Sequence, residues 1–115
     1  MKPLIQDFRF GRITVNGQTY TKDLILLPDR VLPNWWRAQG HALAVEDLLP
    51  VFDAAPETLI VGLGVYSRMR VADETCQALE EAGISLISQA TGDACETYNC
   101  MREASLVAAA LHLTC

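Results

Sequence analysis

The amino-acid sequence predicts an α/β protein whose sheet is mostly parallel and is preceded by a small antiparallel β region. After residue 47, segments with a helical spacing of apolar residues alternate with short, continuous apolar runs. Strands that alternate with helices in this way favour a parallel sheet with right-handed crossovers. Before residue 47, alternating apolar residues and an Asn-Gly pair indicate antiparallel strands. The chain has 115 residues, which fits one domain spanning residues 1–115.

The antiparallel region contains a hairpin in the segment GRITVNGQTY. Ile13 and Val15 alternate with a polar residue, and Asn16-Gly17 supplies two residues that tolerate positive φ. The segment DLILLP predicts a third strand that ends at Pro28. Residues 28–40 then predict a long loop, and loops of this length are commonly functional or packed by their own large side chains.

The first predicted helix begins near Asp47 and ends before Pro56. Its apolar residues are spaced i, i+3, i+4 and i+7 from Leu48. Pro50 is compatible with this helix if Asp47 is the N-cap, because the proline then lies in the first turn, where amides lack helical partners.

Two further helices and three strands complete the pattern. A helix in VADETCQALEEAGI is predicted with Asp73 as its cap, Cys76 and Leu79 on its inward face, and Gly83 just past its end. The last helix begins near Thr91 in TGDACETYNCMREA. The segment TLIVGLG is a continuous apolar run that predicts a buried strand, and ISLIS and LVAAALHL predict two further strands.

Composition argues against several classes of partner. The net charge is −5 and the nine basic residues are scattered, so neither nucleic acid nor an anionic membrane surface is an expected partner. No apolar run approaches the roughly 18 residues that a membrane span requires. The first residues lack the apolar core of a signal peptide, and we therefore expect a cytoplasmic protein.

The four cysteines form no recognisable metal or redox motif. There is no C-x-x-C pair, and Cys95 and Cys100 point about 140° apart on a helix. Disulfides are not expected in a cytosolic protein. We therefore expect neither a metal nor a cofactor, and interpret the thiols as small core residues.

Two glycine-containing turns are candidates for anion binding. GLGVYS departs from a dinucleotide-binding turn, because Ser67 stands where the third glycine belongs and no helix follows at once. Gly62 and Gly64 are therefore interpreted as positions of close backbone packing. In QATGDA, Thr91 opens a helix whose amides could hold an anion, but Asp93 competes for them and favours simple capping.

The segment NWWRAQGH contains both tryptophans of the chain. Arg37 and His41 could bind a carboxylate or act in acid–base chemistry, but the sequence offers no base-orienting partner and no nucleophile motif. We interpret one tryptophan as a core plug and the other, with Arg37 and His41, as the edge of a binding site. His112 lies in an apolar strand and is interpreted as a hydrogen-bonded core histidine.

Four segments together resemble a known domain family: PNWWRAQGH, PETLIVGLG, TGDACETYN and VAAALHLTC. The family includes mitochondrial complex I assembly factor 3, the adipogenesis-associated domain protein and many uncharacterised bacterial and archaeal proteins. The resemblance runs from about Phe10 to the last residue. It implies a three-layer α/β fold with a central mixed sheet and an additional small β layer. Many members have Gly-Thr-Gly where this chain has Gly62-Leu63-Gly64, which removes a hydroxyl from the turn.

The resemblance implies a role in assembly through a protein partner and implies no enzymatic activity. We therefore expect a non-enzymatic binding or assembly module without catalytic residues. The recurrent motif residues of the family that are the candidate binding residues here are Trp36, Arg37, His41, Gly62, Gly64, Thr91 and Asn99. Two alternatives stay open. One is a small anion- or carboxylate-binding protein or enzyme with a cleft at the carboxyl ends of the strands; the other is a loop that caps the sheet and supports a homo-oligomer.

Overall fold

The computed structural model describes residues 2–115 and has three layers, with a five-stranded sheet in the middle. In chain order the strands are β1 Ile5–Arg9, β2 Arg12–Val15, β3 Gln18–Tyr20, β4 Leu24–Leu26, β5 Val31–Leu32, β6 Ala42–Leu43, β7 Thr58–Gly62, β8 Arg70–Val71, β9 Ser85–Gln89 and β10 Val107–Leu111. The helices are α1 Leu49–Ala54, α2 Asp73–Glu81 and α3 Thr91–Met101, and a 3₁₀ turn, Val45–Leu48, leads into α1.

The central sheet is mixed, as predicted, and has the strand order β5-β4-β10-β7-β9. β10 is parallel to β7, and β7 is parallel to β9. On its other side β10 pairs with β4 in the antiparallel direction, and β4 pairs with β5 in the antiparallel direction. Every residue of β7 and β10 is buried, which explains why both read as continuous apolar runs. The parallel strands therefore end together at one edge of the sheet.

The predicted N-terminal β layer is a three-stranded antiparallel sheet, β1-β2-β3. Asn16 and Gly17 have φ values of 51° and 81°, so the β2–β3 turn uses the two positive φ angles that the Asn-Gly pair predicts. A further pair, β6 with β8, is parallel and only two residues long.

Successive side chains of the central strands point to opposite faces of the sheet, and the core therefore forms two clusters, one on each face. Leu24 and Leu26 of β4 pack in the cluster that contains α3 and the small sheet. Ile25, between them, packs in the cluster formed with α1 and α2. This period of two is the expected result of burying both faces of a sheet, and it confirms the three-layer α/β fold.

Several predicted boundaries are wrong, and each has a local cause. Helical structure begins with the 3₁₀ turn Val45–Leu48, and the α-helix itself starts at Leu49. Asp47 is therefore not an N-cap residue, and its carboxylate accepts the backbone N–H groups of Ala44 at 2.9 Å and Ala38 at 3.2 Å. Pro50 still falls in the first turn of α1, where it is tolerated.

The cap and one inward residue of the second helix are also corrected. Ala72 is the N-cap of α2, Asp73 is its first residue, and the Cys76 side chain is exposed. Gly83 has a φ of 75° just past the helix, as predicted, and α3 begins at Thr91, as predicted.

The predicted loop of residues 28–40 is not wholly irregular. It contains β5, whose Val31 and Leu32 pair with Leu26 and Ile25. β1, β6 and β8 were also not predicted, because β1 has a mostly polar sequence and the other two are only two residues long.

Candidate binding site at the carboxyl edge of the sheet

The candidate site lies where the parallel strands of the central sheet end. The segment after β10 is held there by backbone hydrogen bonds from two other turns. The Gly11 N–H donates to the Leu113 carbonyl and the Val65 N–H donates to the Thr114 carbonyl, each at 2.8 Å. The β1–β2 turn and the loop after β7 therefore meet at this edge, on either side of residues 113 and 114.

A buried ion cluster joins three distant parts of the sequence at this edge. Asp23 Oδ2 accepts a hydrogen bond from Arg37 Nη1 at 2.7 Å and from His112 Nδ1 at 2.8 Å. Asp23 Oδ1 accepts the Leu113 N–H at 2.8 Å. The side chains of Arg37, His112 and Asp23 are only 6%, 10% and 17% exposed, so these charge-assisted bonds are largely shielded from solvent.

The cluster keeps Asp23 ionised over a wide pH range. Burial raises the pKa of Asp23, but the hydrogen bonds from His112, the Leu113 N–H and Arg37 outweigh it and lower the pKa from 3.8 to about 2. An ionised carboxylate only accepts, so His112 Nδ1 carries the proton it donates to Asp23. The 3.1 Å approach of Arg37 Nη2 to the same nitrogen is then a close contact between two donors.

The other ring nitrogen of His112 is shielded. His112 Nε2 and Arg37 Nε are both buried and have no hydrogen-bond partner among residues 2–115. On the far side of the ring, a Cβ added at Gly64 would lie 2.9 Å from His112 Cδ2. A general base must reach the proton it removes. In this arrangement the Asp23–His112 pair links the loop that carries Arg37 to the segment after β10.

Trp35 fixes the loop that carries Arg37. Its ring centroid lies 4.8 Å from the guanidinium carbon of Arg37, a cation–π distance, and its indole N–H donates to the Asp47 carbonyl at 2.8 Å. Arg37 Nη2 also donates to the Gly40 carbonyl at 3.3 Å. Trp35 is thus the half-buried tryptophan, and residues 35–40 are tied both to the cluster and to the turn before α1.

Trp36 is the exposed tryptophan, with 79% of its surface accessible. It stands at the rim of an open cleft of about 460 Å³. The cleft is lined by Thr21, Lys22, Asp23, Asn34, Trp35, Trp36 and Thr114. This lining combines two aromatic rings with the Lys22 ammonium, the Asp23 carboxylate and three neutral polar residues.

The glycines and Thr91 serve the packing of this edge. The Thr91 hydroxyl accepts the Gly64 N–H at 2.8 Å and donates to the His112 carbonyl at 2.6 Å. A Cβ at Gly62 would lie 2.8 Å from Thr91 Oγ1. The hydroxyl of Thr91 therefore joins β7, β10 and α3, and both of its bonds are internal.

The remaining predicted residues lie elsewhere. Asn99 accepts the Ile5 N–H at 3.1 Å and donates to the Ile5 carbonyl at 2.7 Å, so it fastens β1 to α3. His41 is exposed, and its carbonyl accepts the Arg70 N–H at 3.0 Å. The structure brings together Arg37, Gly62, Gly64 and Thr91 beside His112. It does not bring Arg37, His41 and Asn99 into one pocket.

Sequence reasoning missed Asp23 as a member of the cluster. The available signal was its position, because a charged residue directly before a buried strand lies at a sheet edge and needs a partner there. Its partners are 14 and 89 positions away, and nothing local identifies them.

The interpretation of the thiols as core residues fits only Cys95 among residues 2–115, because Cys76 and Cys100 are exposed and Cys115 is half-buried. No three His, Cys, Asp or Glu side chains in this range are placed to hold a metal ion. No helix in it is long and apolar enough to cross a membrane. Burial, with a contribution from Glu96, raises the pKa of Cys95 to about 12, so this thiol stays protonated and is a poor nucleophile.

Comparison with known proteins yields one family and several relatives. A family described as "Protein of unknown function (DUF498/DUF598)" matches residues 5–112. NADH dehydrogenase [ubiquinone] 1 alpha subcomplex assembly factor 3 from Danio rerio is 32% identical over 100 residues, which are 84% of this chain and 56% of that protein. The chain therefore spans a little over half the length of this relative.

Solved structures share the fold over almost the whole chain. The conserved hypothetical protein PH1505 from Pyrococcus horikoshii OT3 has a TM-score of 0.88 at 22% identity, covering 96% of this chain and 98% of that one. A structure described as an outer membrane protein from Bartonella henselae has a TM-score of 0.86 at 25% identity, covering 98% and 96%. The three-layer arrangement is thus common to proteins of widely different sequence.

Proposed function

Because this chain belongs to the DUF498/DUF598 family, whose match covers residues 5–112, we propose that it is a non-enzymatic module that binds a protein partner through Trp36. The observation that carries the proposal is a 79% exposed tryptophan on a loop fixed by a buried ion cluster. An exposed indole on a rigid support loses little conformational entropy on binding, and tryptophan is enriched among residues that dominate binding energy.

The surroundings of Trp36 support binding more than catalysis. Arg37, the nearest cation in sequence, is held by Asp23 at 2.7 Å and is therefore not free to hold a substrate carboxylate. Covering the indole in a partner interface contributes on the order of 2–4 kcal/mol. The buried cluster keeps the loop in place and leaves the ring free to do this.

The proposed protein binding serves an assembly role. The relative from Danio rerio is named as an assembly factor, and the shared region covers 84% of this chain. We extend that role to this chain, in which the domain docks on a partner protein. The four cysteines are all unpaired, which is compatible with action in a reducing compartment such as the cytoplasm.

A capture experiment with Trp36→Ala tests the proposal. Tagged wild-type protein is expected to recover a specific protein from extracts of its native cell, and Trp36→Ala to lose about tenfold or more of it, because the substitution removes a binding anchor. Bound proteins are quantified by mass spectrometry. Thermal unfolding of the variant should match that of the wild type, since Trp36 is exposed.

Leu106→Ala is the matched control. Leu106 is 50% exposed and directly precedes β10, at the end of the strand opposite the cleft. It is expected to retain the partner. If wild type recovers nothing specific, or if Trp36→Ala recovers the same proteins as wild type, the proposed function is wrong.

A further inference from the structure

Trp36 belongs to a larger exposed surface that we call the aromatic face, formed by Phe10, Trp36 and Tyr66. Their exposed fractions are 57%, 79% and 65%. The other aromatic side chains in residues 2–115 are buried or half-buried, so these three are the exposed ones.

Two backbone hydrogen bonds and one shared cleft place the segments that carry the three rings around residues 113 and 114. Phe10 precedes Gly11, whose N–H donates to the Leu113 carbonyl at 2.8 Å. Tyr66 follows Val65, whose N–H donates to the Thr114 carbonyl at 2.8 Å. Trp36 lines the same cleft as Thr114. Each ring is therefore no more than one residue away from a contact with this short segment.

Unusual backbone conformations hold the three rings in these positions. Gly11, Asn34 and Ser67 have φ values of 76°, 57° and 55°, and each lies within two residues of one of the rings. Asn and Ser adopt this left-handed region at an energetic cost, and such residues persist where the surrounding structure imposes them. The three rings thus lie on tight turns.

The charges beside the aromatic face are positive. Arg12, Lys22 and Arg68 are exposed, Lys22 lines the cleft, and the Arg68 guanidinium carbon lies 5.8 Å from the Tyr66 ring centroid. Two acids lie near these residues, and each is paired with an arginine: Asp23 with Arg37 and Asp7 with Arg9. This surface is cationic although the whole chain has a net charge of −5.

From this arrangement we infer that the partner contributes a segment in which acidic side chains stand next to apolar ones, and that this segment binds across the aromatic face. The inference rests on the proposed function and names the partner's chemistry. Aromatic rings supply apolar contact, and cations beside them favour carboxylates through complementary charge. A protein segment fits better than a lipid surface, because Trp36 stands at the rim of a concave cleft that a flat bilayer surface would not enter.

Charge reversal on the aromatic face tests the inference. Lys22→Glu/Arg68→Glu is expected to lower recovery of the partner from native extracts about tenfold or more, while leaving the fold intact by circular dichroism. Arg30→Glu is the matched control, because Arg30 is exposed and lies in the β4–β5 turn, at the opposite end of β4. Recovery by the wild type should also fall with added salt.

The outcomes separate this inference from the proposed function. If Trp36→Ala loses the partner and the charge-reversal variant retains it, the acidic segment is wrong and the protein-binding function stands. If Trp36→Ala and the charge-reversal variant both retain the partner, the acidic segment and the proposed function are both wrong. A loss restricted to Trp36→Ala and the charge-reversal variant, with Leu106→Ala and Arg30→Glu unaffected, supports both.

Two probes identify the ligand class directly. Two short peptides share the same leucine and phenylalanine positions, with glutamate between them in one and lysine in the other. NMR spectra of the labelled full chain should show shift changes at residues 9–12, 21–23, 34–37, 65–68 and 113–114 with the glutamate peptide alone. Equal shifts with both peptides, no shifts, or shifts elsewhere overturn the inference. Co-sedimentation with phosphatidylserine vesicles that is lost in the charge-reversal variant would overturn it in favour of a membrane.

Discussion

Burial and hydrogen bonding shift the pKa of the Asp23 carboxyl group in opposite directions. Burial alone would favour the neutral acid, yet three donors lower its pKa to about 2. Because the folded-state pKa lies below the ordinary 3.8, the ionised carboxylate stabilises the fold at every pH above about 4. This contribution is lost as the pH falls towards about 2.

The Asp23→Asn variant tests whether the ionised carboxylate stabilises the fold. At neutral pH the variant leaves Arg37 buried without its counter-ion, and it should be less stable than wild type by roughly 3 kcal/mol. As the pH falls from about 4 to about 2, the difference in the free energy of unfolding between wild type and variant should shrink by about 2 kcal/mol, because protonation of Asp23 removes the same interaction from the wild type. Urea unfolding across this pH range measures both effects.

Asp29→Asn provides the comparison for Asp23→Asn. Asp29 pairs with Arg30 at 3.1 Å, but both side chains are more than half exposed. Its removal should change stability little at any pH. A pH-independent loss in Asp23→Asn, or a loss no larger than that of the control, would show that the buried ion pair does not stabilise the fold.

At the scale of elements, one hydroxyl connects β7, β10 and α3. Thr91→Val removes the group that joins the Gly64 N–H to the His112 carbonyl and leaves both buried groups unpaired. The expected loss is roughly 2–4 kcal/mol in the free energy of unfolding. Thr91→Ser retains the hydroxyl and should lose much less. Equal losses in the two variants would assign the effect to packing and not to the hydrogen bonds.

Strands and turns whose geometry is encoded by neighbouring residues can be predicted from the sequence, and those formed only by tertiary pairing cannot. The β2–β3 hairpin is predictable because Asn16 and Gly17 encode its turn locally. β5 is not, since two residues gain their strand geometry only by pairing with β4. Likewise, the sequence indicates that Arg37 and Thr91 belong to a site, but their partners are set by tertiary contacts with Asp23 and His112.

At the scale of the whole molecule, the uneven charge distribution bears on self-association. A two-fold dimer through the aromatic face would bring the same patch of both copies together, and Lys22 and Arg68 would then face like charges. We therefore expect the chain to sediment as a monomer at low ionic strength. A dimer that Trp36→Ala dissociates would contradict this prediction, and would indicate a homo-oligomeric role for the loop.

The central position of β10 has a consequence for synthesis on the ribosome. β4 and β7 both emerge early, yet the strand that lies between them is the last of the sheet to be made. Until it arrives, each carries an unpaired apolar edge, the kind of surface on which nascent chains aggregate. Leu24 of β4 pairs with Leu111 of β10, so this pairing joins two strands that are far apart in the sequence. We expect folding to be slow for a domain of this size and to depend on chaperones during translation.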